Sequence, residues 1–347
     1  MPRLLVIGAL LLIAQATSTP RCDSSSGNSV AMVVNGGPTN SAFNVPFVSV
    51  TVCVPGTSNC QIIDGILVDT GSVGLRVLSS VLRLPLPAQT GTGGARVVEC
   101  LPFVDGFTWG PVQTADVHIA GEQASAIPIQ LIGLDQFPTV PSACAAQGDS
   151  EETPDDLGAN GILGVGSFIQ DCGRACTFTG ASNPGLYYVC PTPSNCQITP
   201  QPLTSQVQNP VAFFSNDNNG VVLQLPSVVA AGQPSVSGSL IFGIGTQGNN
   251  SLGSAHVLTL DARGNITTTF NGQSYPSSFI DSGSNAIFFL DPATTGLPVC
   301  QISTSFYCPP TRRSFTAVNT GANGVSVTVQ FSAGNVDAVN ATFSAFP

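Results

Sequence analysis

Apolar residues in this chain cluster in short runs broken by glycine, proline, asparagine and serine, and the three-and-four spacing of amphipathic helices is scarce. Residues 47–54 and 62–68 are two such runs on either side of Pro55-Gly56-Thr57-Ser58-Asn59, a pattern that predicts a β-hairpin. Further strands are predicted at 115–119, 127–132, 221–225, 239–242, 256–260, 266–270, 278–280, 287–290 and 325–331. Many short strands with turn residues between them predict an all-β fold. Residues 19–45 lack the pattern, being rich in Ser, Gly and Asn, and read as a flexible lead-in.

Composition narrows the class. The chain has 347 residues, 37 Gly and 27 Pro, which excludes a coiled coil, and 42% hydrophobic residues, which is enough apolar content to argue against disorder. Nine arginines, no lysine and 19 acidic residues leave a net charge of −10, so a nucleic-acid partner is not expected. Met1-Pro2-Arg3, an apolar run over 4–14 and Ala14-Gln15-Ala16 form a secretory signal over residues 1–18. That run is too short to span a bilayer, so a secreted, periplasmic or cell-envelope protein without a transmembrane segment is expected. A lipid anchor at Cys22 is disfavoured by Thr19, Pro20 and Arg21 before it.

Eleven cysteines in an exported chain read as disulfides. Cys53 with Cys60, Cys172 with Cys176, Cys190 with Cys196 and Cys300 with Cys308 would clip local loops, and partners for Cys22, Cys100 and Cys144 stay open. A zinc site at Asp171, Cys172 and Cys176 has neither His118 nor His256 nearby, so no metal and no cofactor are expected. The acidic run Asp149, Glu151, Glu152, Asp155 and Asp156 reads as a solvated loop, since its spacing is not that of a calcium loop.

One short pattern occurs twice. Ile66-Leu67-Val68-Asp69-Thr70-Gly71-Ser72 and Ser278-Phe279-Ile280-Asp281-Ser282-Gly283-Ser284 each end an apolar strand in an acid, followed by a hydroxyl residue, Gly and Ser. Composition alone predicts about 0.3 Asp-(Ser/Thr)-Gly triplets in a chain of this kind. An acid leaving an apolar strand costs desolvation unless hydrogen bonds receive it. Glycine lets backbone amides turn towards the carboxylate, and nearby hydroxyls can donate to it. A tight Asp-Gly turn explains either copy alone, but the pair points to paired-carboxylate chemistry.

On these loops the chain resembles the pepsin-like aspartic peptidases, and the whole combination looks like a secreted bacterial branch of them. The hairpin over 47–68 leads into the first loop, Gly74-Leu75-Arg76-Val77-Leu78 continues it, and Asn160-Gly161-Ile162-Leu163-Gly164-Val165-Gly166 is similar to the apolar-apolar-Gly segment that crosses behind it. Residues 238–245 are similar to the segment opening the family's second lobe. The resemblance implies a bilobed β-barrel architecture with a central cleft, an N-terminal lobe over 46–235 and a C-terminal lobe over 236–347. It implies Asp69 and Asp281 as a catalytic dyad, with Thr70 and Ser282 locking the loops together, Gly71 and Gly283 at their turns, and Ser72 and Ser284 bonded to the outer carboxylate oxygens. The expected activity is endopeptidase cleavage of a peptide or protein substrate in extended conformation, by a monomer.

Two departures accompany the resemblance. The stretch 100–117, where the family's flap belongs, has no Tyr; Phe103 falls at that place, and Phe103, Phe107 and Trp109 are candidates to wall a substrate pocket or else to pack. After Asp281 no apolar-apolar-Gly segment follows, so the second lobe reads as incomplete. A fragment, a lobe built differently and a protein without activity all remain open, and the ending Ala345-Phe346-Pro347 favours the first. The alternative function is a catalytically inactive pepsin-like secreted binding protein, and the third is a β-rich structural protein.

Overall fold

The computed structural model describes residues 27–133 and 135–347; the expected signal peptide over 1–18 and Cys22 lie outside the described residues. The strands, in chain order, are β1 (Ser29–Val34), β2 (Pro46–Cys53), β3 (Cys60–Asp69), β4 (Val73–Leu78), β5 (Arg96–Pro102), β6 (Gly106–Ile119), β7 (Glu122–Ile132), β8 (Asp149–Ser150) and β9 (Gly161–Val165). They continue as β10 (Tyr187–Thr192), β11 (Asn195–Ile198), β12 (Val221–Gln224), β13 (Val236–Phe242), β14 (Ile266–Phe270), β15 (Gln273–Ser278), β16 (Arg313–Thr320) and β17 (Ser326–Ala333). Among the described residues helix is limited to segments of three to five residues, so this part of the protein is all-β as its patterning predicts.

Strands β2, β3, β9, β4, β7 and β6 pair in that order, and β6 returns to pair with β2, which closes a barrel. Its interior is filled by alternate residues such as Val50, Val52, Ile66, Val68, Leu75, Val77, Val117, Ile129 and Leu163, all buried. β5, β10 and β11 extend the sheet from β6, while β1, β13 and β12 extend it from β2. A separate four-stranded sheet runs β15-β14-β16-β17. One face of it gathers Phe270, Phe289, Phe315 and Phe331, with ring centroids 5.0–6.4 Å apart.

Three readings change. The described part of the lead-in is not loose: β1 lies along β13 from Ser29↔Ile241 to Val34↔Val236, and the buried Asn28 side chain donates to the Phe242 carbonyl at 2.7 Å. β13 therefore belongs to the large sheet, and a division at 235/236 does not separate the two sheets. The stretches 256–260 and 287–290 are not strands, and of 278–280 only Ser278 is, because these short apolar runs find no neighbouring strand to complete their backbone hydrogen bonds.

All four expected local disulfides form, Cys53–Cys60 closing the mouth of the β2–β3 hairpin. Cys100 and Cys144 form the fifth, across 44 residues. Five disulfides fit an exported protein. Among the described residues no helix is long and apolar enough to cross a membrane.

Candidate active site

Asp69 is the last residue of β3, and the strand beside it explains why it is held. β9 runs parallel to β3, placing Gly164 opposite Asp69, and antiparallel to β4, placing Val165 opposite Val73. The segment 160–166 thus fills the groove between the strands entering and leaving the first acidic loop. Asp281 follows β15 on the second sheet.

The two loops meet through reciprocal hydrogen bonds. The Thr70 hydroxyl donates to the Ile280 carbonyl at 3.0 Å, and the Ser282 hydroxyl donates to the Val68 carbonyl at 2.7 Å. The Ser282 N–H donates to Thr70 Oγ1 at 3.0 Å, and the Thr70 N–H to Ser282 Oγ at 3.1 Å. Each carboxylate is received in turn by its own loop. The Gly71 N–H donates to Asp69 Oδ1 at 2.7 Å and the Gly283 N–H to Asp281 Oδ1 at 2.8 Å. The Ser284 hydroxyl donates to Asp281 Oδ2 at 2.6 Å.

Each glycine also faces the opposite acid. A Cβ at Gly71 would stand 2.9 Å from Asp281 Oδ1, and one at Gly283 would stand 2.8 Å from Asp69 Oδ1, so both positions need glycine for room. The two carboxyl groups are neighbours: a single Cβ placed at Gly71 would lie 2.9 Å from Asp281 Oδ1 and 3.2 Å from Asp69 Oδ1. Asp69 is 6% exposed. Burial pushes its carboxyl from 3.8 up to about 6; the nearby Ser72 hydroxyl pulls it down, while Asp281 pushes it further up. Two such acids do not ionise together comfortably and share a proton.

The remaining expectations divide. Thr70, Gly71, Ser282, Gly283 and Ser284 stand where the duplicated pattern put them. Ser72 mirrors Ser284 only loosely: its hydroxyl stands near enough to Asp69 to lower its carboxyl, without the close, well-aligned bond that Ser284 makes to Asp281. β5 and β6 form a long hairpin over the expected flap region, but two of its aromatics are packing residues. Phe107 and Trp109 point into a buried cluster with Val98, Tyr188 and the Cys100–Cys144 bridge, and the Trp109 indole donates to the Phe137 carbonyl at 2.9 Å. They wall no substrate pocket, because the hairpin is covered on the face they share. Phe103, at the tip, packs against Phe47, Leu67 and Ile162.

Sequence reasoning missed a buried ion cluster behind the first loop. Arg76, fully buried on β4, donates to the Val73 carbonyl at 2.6 Å and pairs with Glu99 at 3.0 Å and Asp171 at 2.9 Å. The Tyr187 hydroxyl donates to Asp171 at 2.7 Å and accepts from the Val207 N–H at 2.7 Å. Burial holds the Asp171 carboxyl well above its usual range, Glu99 adds to that, and Arg76 opposes it. The available signal was one charge in each of two apolar strands, Arg76 in 74–78 and Glu99 in 97–100. The acidic run was also misread in part. Glu151 is buried, and its N–H donates to the Phe107 carbonyl at 2.9 Å. Burial, then Asp105 and Asp156, push its carboxyl up to about 8.

The trio Asp171, Cys172 and Cys176 cannot act as metal ligands, since the cysteines are joined and Asp171 is occupied by Arg76 and Tyr187. The grouping of Cys300, Cys308 and Asp337 is likewise a disulfide beside a carboxylate. That carboxylate already accepts from the N–H groups of Gln301, Ile302 and Ser303.

Comparison with known proteins adds a family. A family model described as "Protein of unknown function (DUF3443)" matches residues 24–347. No curated protein matches. Among solved structures, the chain is similar to an aspartic proteinase from Irpex lacteus, with 14% identity, a TM-score of 0.46, and 87% of this chain and 77% of that one covered.

Proposed function

The chain belongs to the DUF3443 family, whose description assigns no activity, and from the site itself we propose that it is a secreted aspartic endopeptidase of bilobed, pepsin-like build. The reading is carried by one observation: two acids 212 residues apart lie in loops that bond each other reciprocally and face each other's glycines.

Asp69 and Asp281 share one proton as a pair. The ionised member takes a proton from a water bound between them as that water attacks the scissile carbonyl. The protonated member donates a hydrogen bond to the carbonyl oxygen, which stabilises the charge that develops there. The proton taken from the water then goes to the leaving amine as the C–N bond breaks, so no metal, cofactor or covalent intermediate is required. The locked loops supply fixed geometry for this transfer. Export by the signal over 1–18 would put the enzyme outside the cytoplasm.

Peptide-library cleavage by the protein and by Asp69→Asn and Asp281→Asn tests the reading. Both variants are expected to keep the far-UV spectrum and lose hydrolysis; cleavage retained in both removes the dyad from the account. A second reading, a pepsin-like binding protein without turnover, is favoured by the exposed apolar residues beside Asp281. Its expected result is binding of a statine-type peptide with no hydrolysis by the unmodified chain.

A further inference from the structure

The hydrogen bonds that join the two acidic loops come from Val68, Thr70, Ile280 and Ser282, the residues on either side of each acid. The exit from the first loop, Ser72 and Val73, is held from behind instead. The Gly166 N–H donates to the Ser72 carbonyl at 2.8 Å, and Nη1 of Arg76 donates to the Val73 carbonyl at 2.6 Å. Ser72 carries the hydroxyl that lowers the Asp69 carboxyl, so the stretch of backbone that Arg76 grips presents a group acting on the acid.

Arg76 is itself clamped. Its Nη2 donates to Glu99 on β5 at 3.0 Å and to Asp171 at 2.9 Å, and all three side chains are buried. Both acids lie on anchored backbone or side chains. The Glu99 carbonyl accepts from Gln130 Nε2 at 3.0 Å, Gln130 Oε1 accepts from the Thr108 hydroxyl at 2.8 Å, and Asp171 accepts from the Tyr187 hydroxyl at 2.7 Å. Stability alone does not account for a cation here. Arg76 Nε is buried without a hydrogen-bond partner, and buried ion pairs can often be replaced by apolar residues of like volume without loss of stability. What the guanidinium supplies is a planar fork, with one nitrogen for the carbonyl and another for the two acids. At the 212-residue offset the second loop carries Phe288, so the brace belongs to the first loop.

We propose that Arg76, clamped by Glu99 and Asp171, is a positioning residue for the peptide hydrolysis assigned above, and that its hold on the Val73 carbonyl keeps Gly71 and Ser72 set against Asp69. The inference rests on that reading of the dyad. Arg76 touches neither acid; it acts through the backbone of the loop. An exit free to shift by about an ångström would misplace the carboxyl relative to the attacking water, and errors of that size are costly in rate.

Steady-state cleavage of one peptide chosen from the library is compared in the unmodified chain, in Arg76→Lys, and in a neutral variant combining Arg76→Met, Glu99→Gln and Asp171→Asn. Arg76→Lys keeps a cation beside both acids, but its single nitrogen cannot also serve the Val73 carbonyl. Its kcat and kcat/KM are expected to fall together by about tenfold, with KM unchanged and the far-UV spectrum retained. The neutral variant should lose kcat at least as far while keeping its urea midpoint, whereas a merely structural cluster would move the midpoint and spare kcat. Arg76→Lys decides alone should the neutral variant unfold. Unchanged kcat in Arg76→Lys, or a rise in KM with kcat unchanged, overturns the proposal while the unmodified chain still cleaves. No cleavage by the unmodified chain removes the peptidase reading, and this inference with it.

Discussion

Replacing Asp69 by Asn changes the charge of the site while leaving its shape, and the amide oxygen can still accept from the Gly71 N–H as Oδ1 does. The Asp69 carboxyl rises from 3.8 to about 6 on folding. The folded state therefore binds more protons than the unfolded state between those values, and stability falls as pH rises through them. Below pH 4 both states hold the proton and nothing is lost. Above pH 6 the full cost of the buried charge is present, about 3 kcal/mol for a carboxyl held at about 6 instead of 3.8. The neutral amide of Asp69→Asn carries no such cost. The variant should thus be the more stable form by up to about 3 kcal/mol at pH 8, the gap closing to near zero by pH 4, even as hydrolysis is lost. Urea unfolding at several pH values, with disulfides oxidised, reads this through Trp109, the sole tryptophan and fully buried. A difference that does not vary with pH, or a variant less stable at pH 8, would refute the account of Asp69 as a buried acid beside a second one.

Other outcomes follow from the same contacts. Gly283→Ala places a Cβ 2.8 Å from the Asp69 carboxyl and should lower peptide cleavage by about 100-fold with the fold retained, measured as kcat/KM. Arg76→Leu leaves Glu99 and Asp171 buried without their cation and should cost about 3–5 kcal/mol in urea unfolding. Joint Cys100→Ser and Cys144→Ser opens a 44-residue closure, which loop entropy values at about 4 kcal/mol in the same assay. Glu151, raised to about 8, makes the protein lose stability as pH climbs from about 5 to 8; Glu151→Gln should flatten that slope in thermal melts.

What could be read in advance was local or repeated. The β2–β3 hairpin was legible because alternation and a proline-glycine turn act over a few residues. The four short-range disulfides were legible because close spacing leaves each cysteine one cheap partner. The acidic loops were legible only because the same turn is written twice. What stayed open or was misread has a different cause. Phe107 and Trp109 could wall a pocket or pack, and the choice fell to Phe137, Cys144 and Tyr188, all distant in the chain; a run of acids looked solvated because its neighbour Asp105 belongs to another turn.

The sequence by itself determined the all-β class, the local cross-links and the existence of two like acidic turns, since each depends on residues close together or on an internal repetition. Tertiary structure alone decided that Thr70 and Ser282 exchange hydrogen bonds, that Arg76 finds Glu99 and Asp171, that Cys100 pairs with Cys144, and that one acidic loop is covered while its twin is bare. Those outcomes rest on which distant strands close on one another. The free energy of that closure is summed over the whole sheet rather than stored in any single segment.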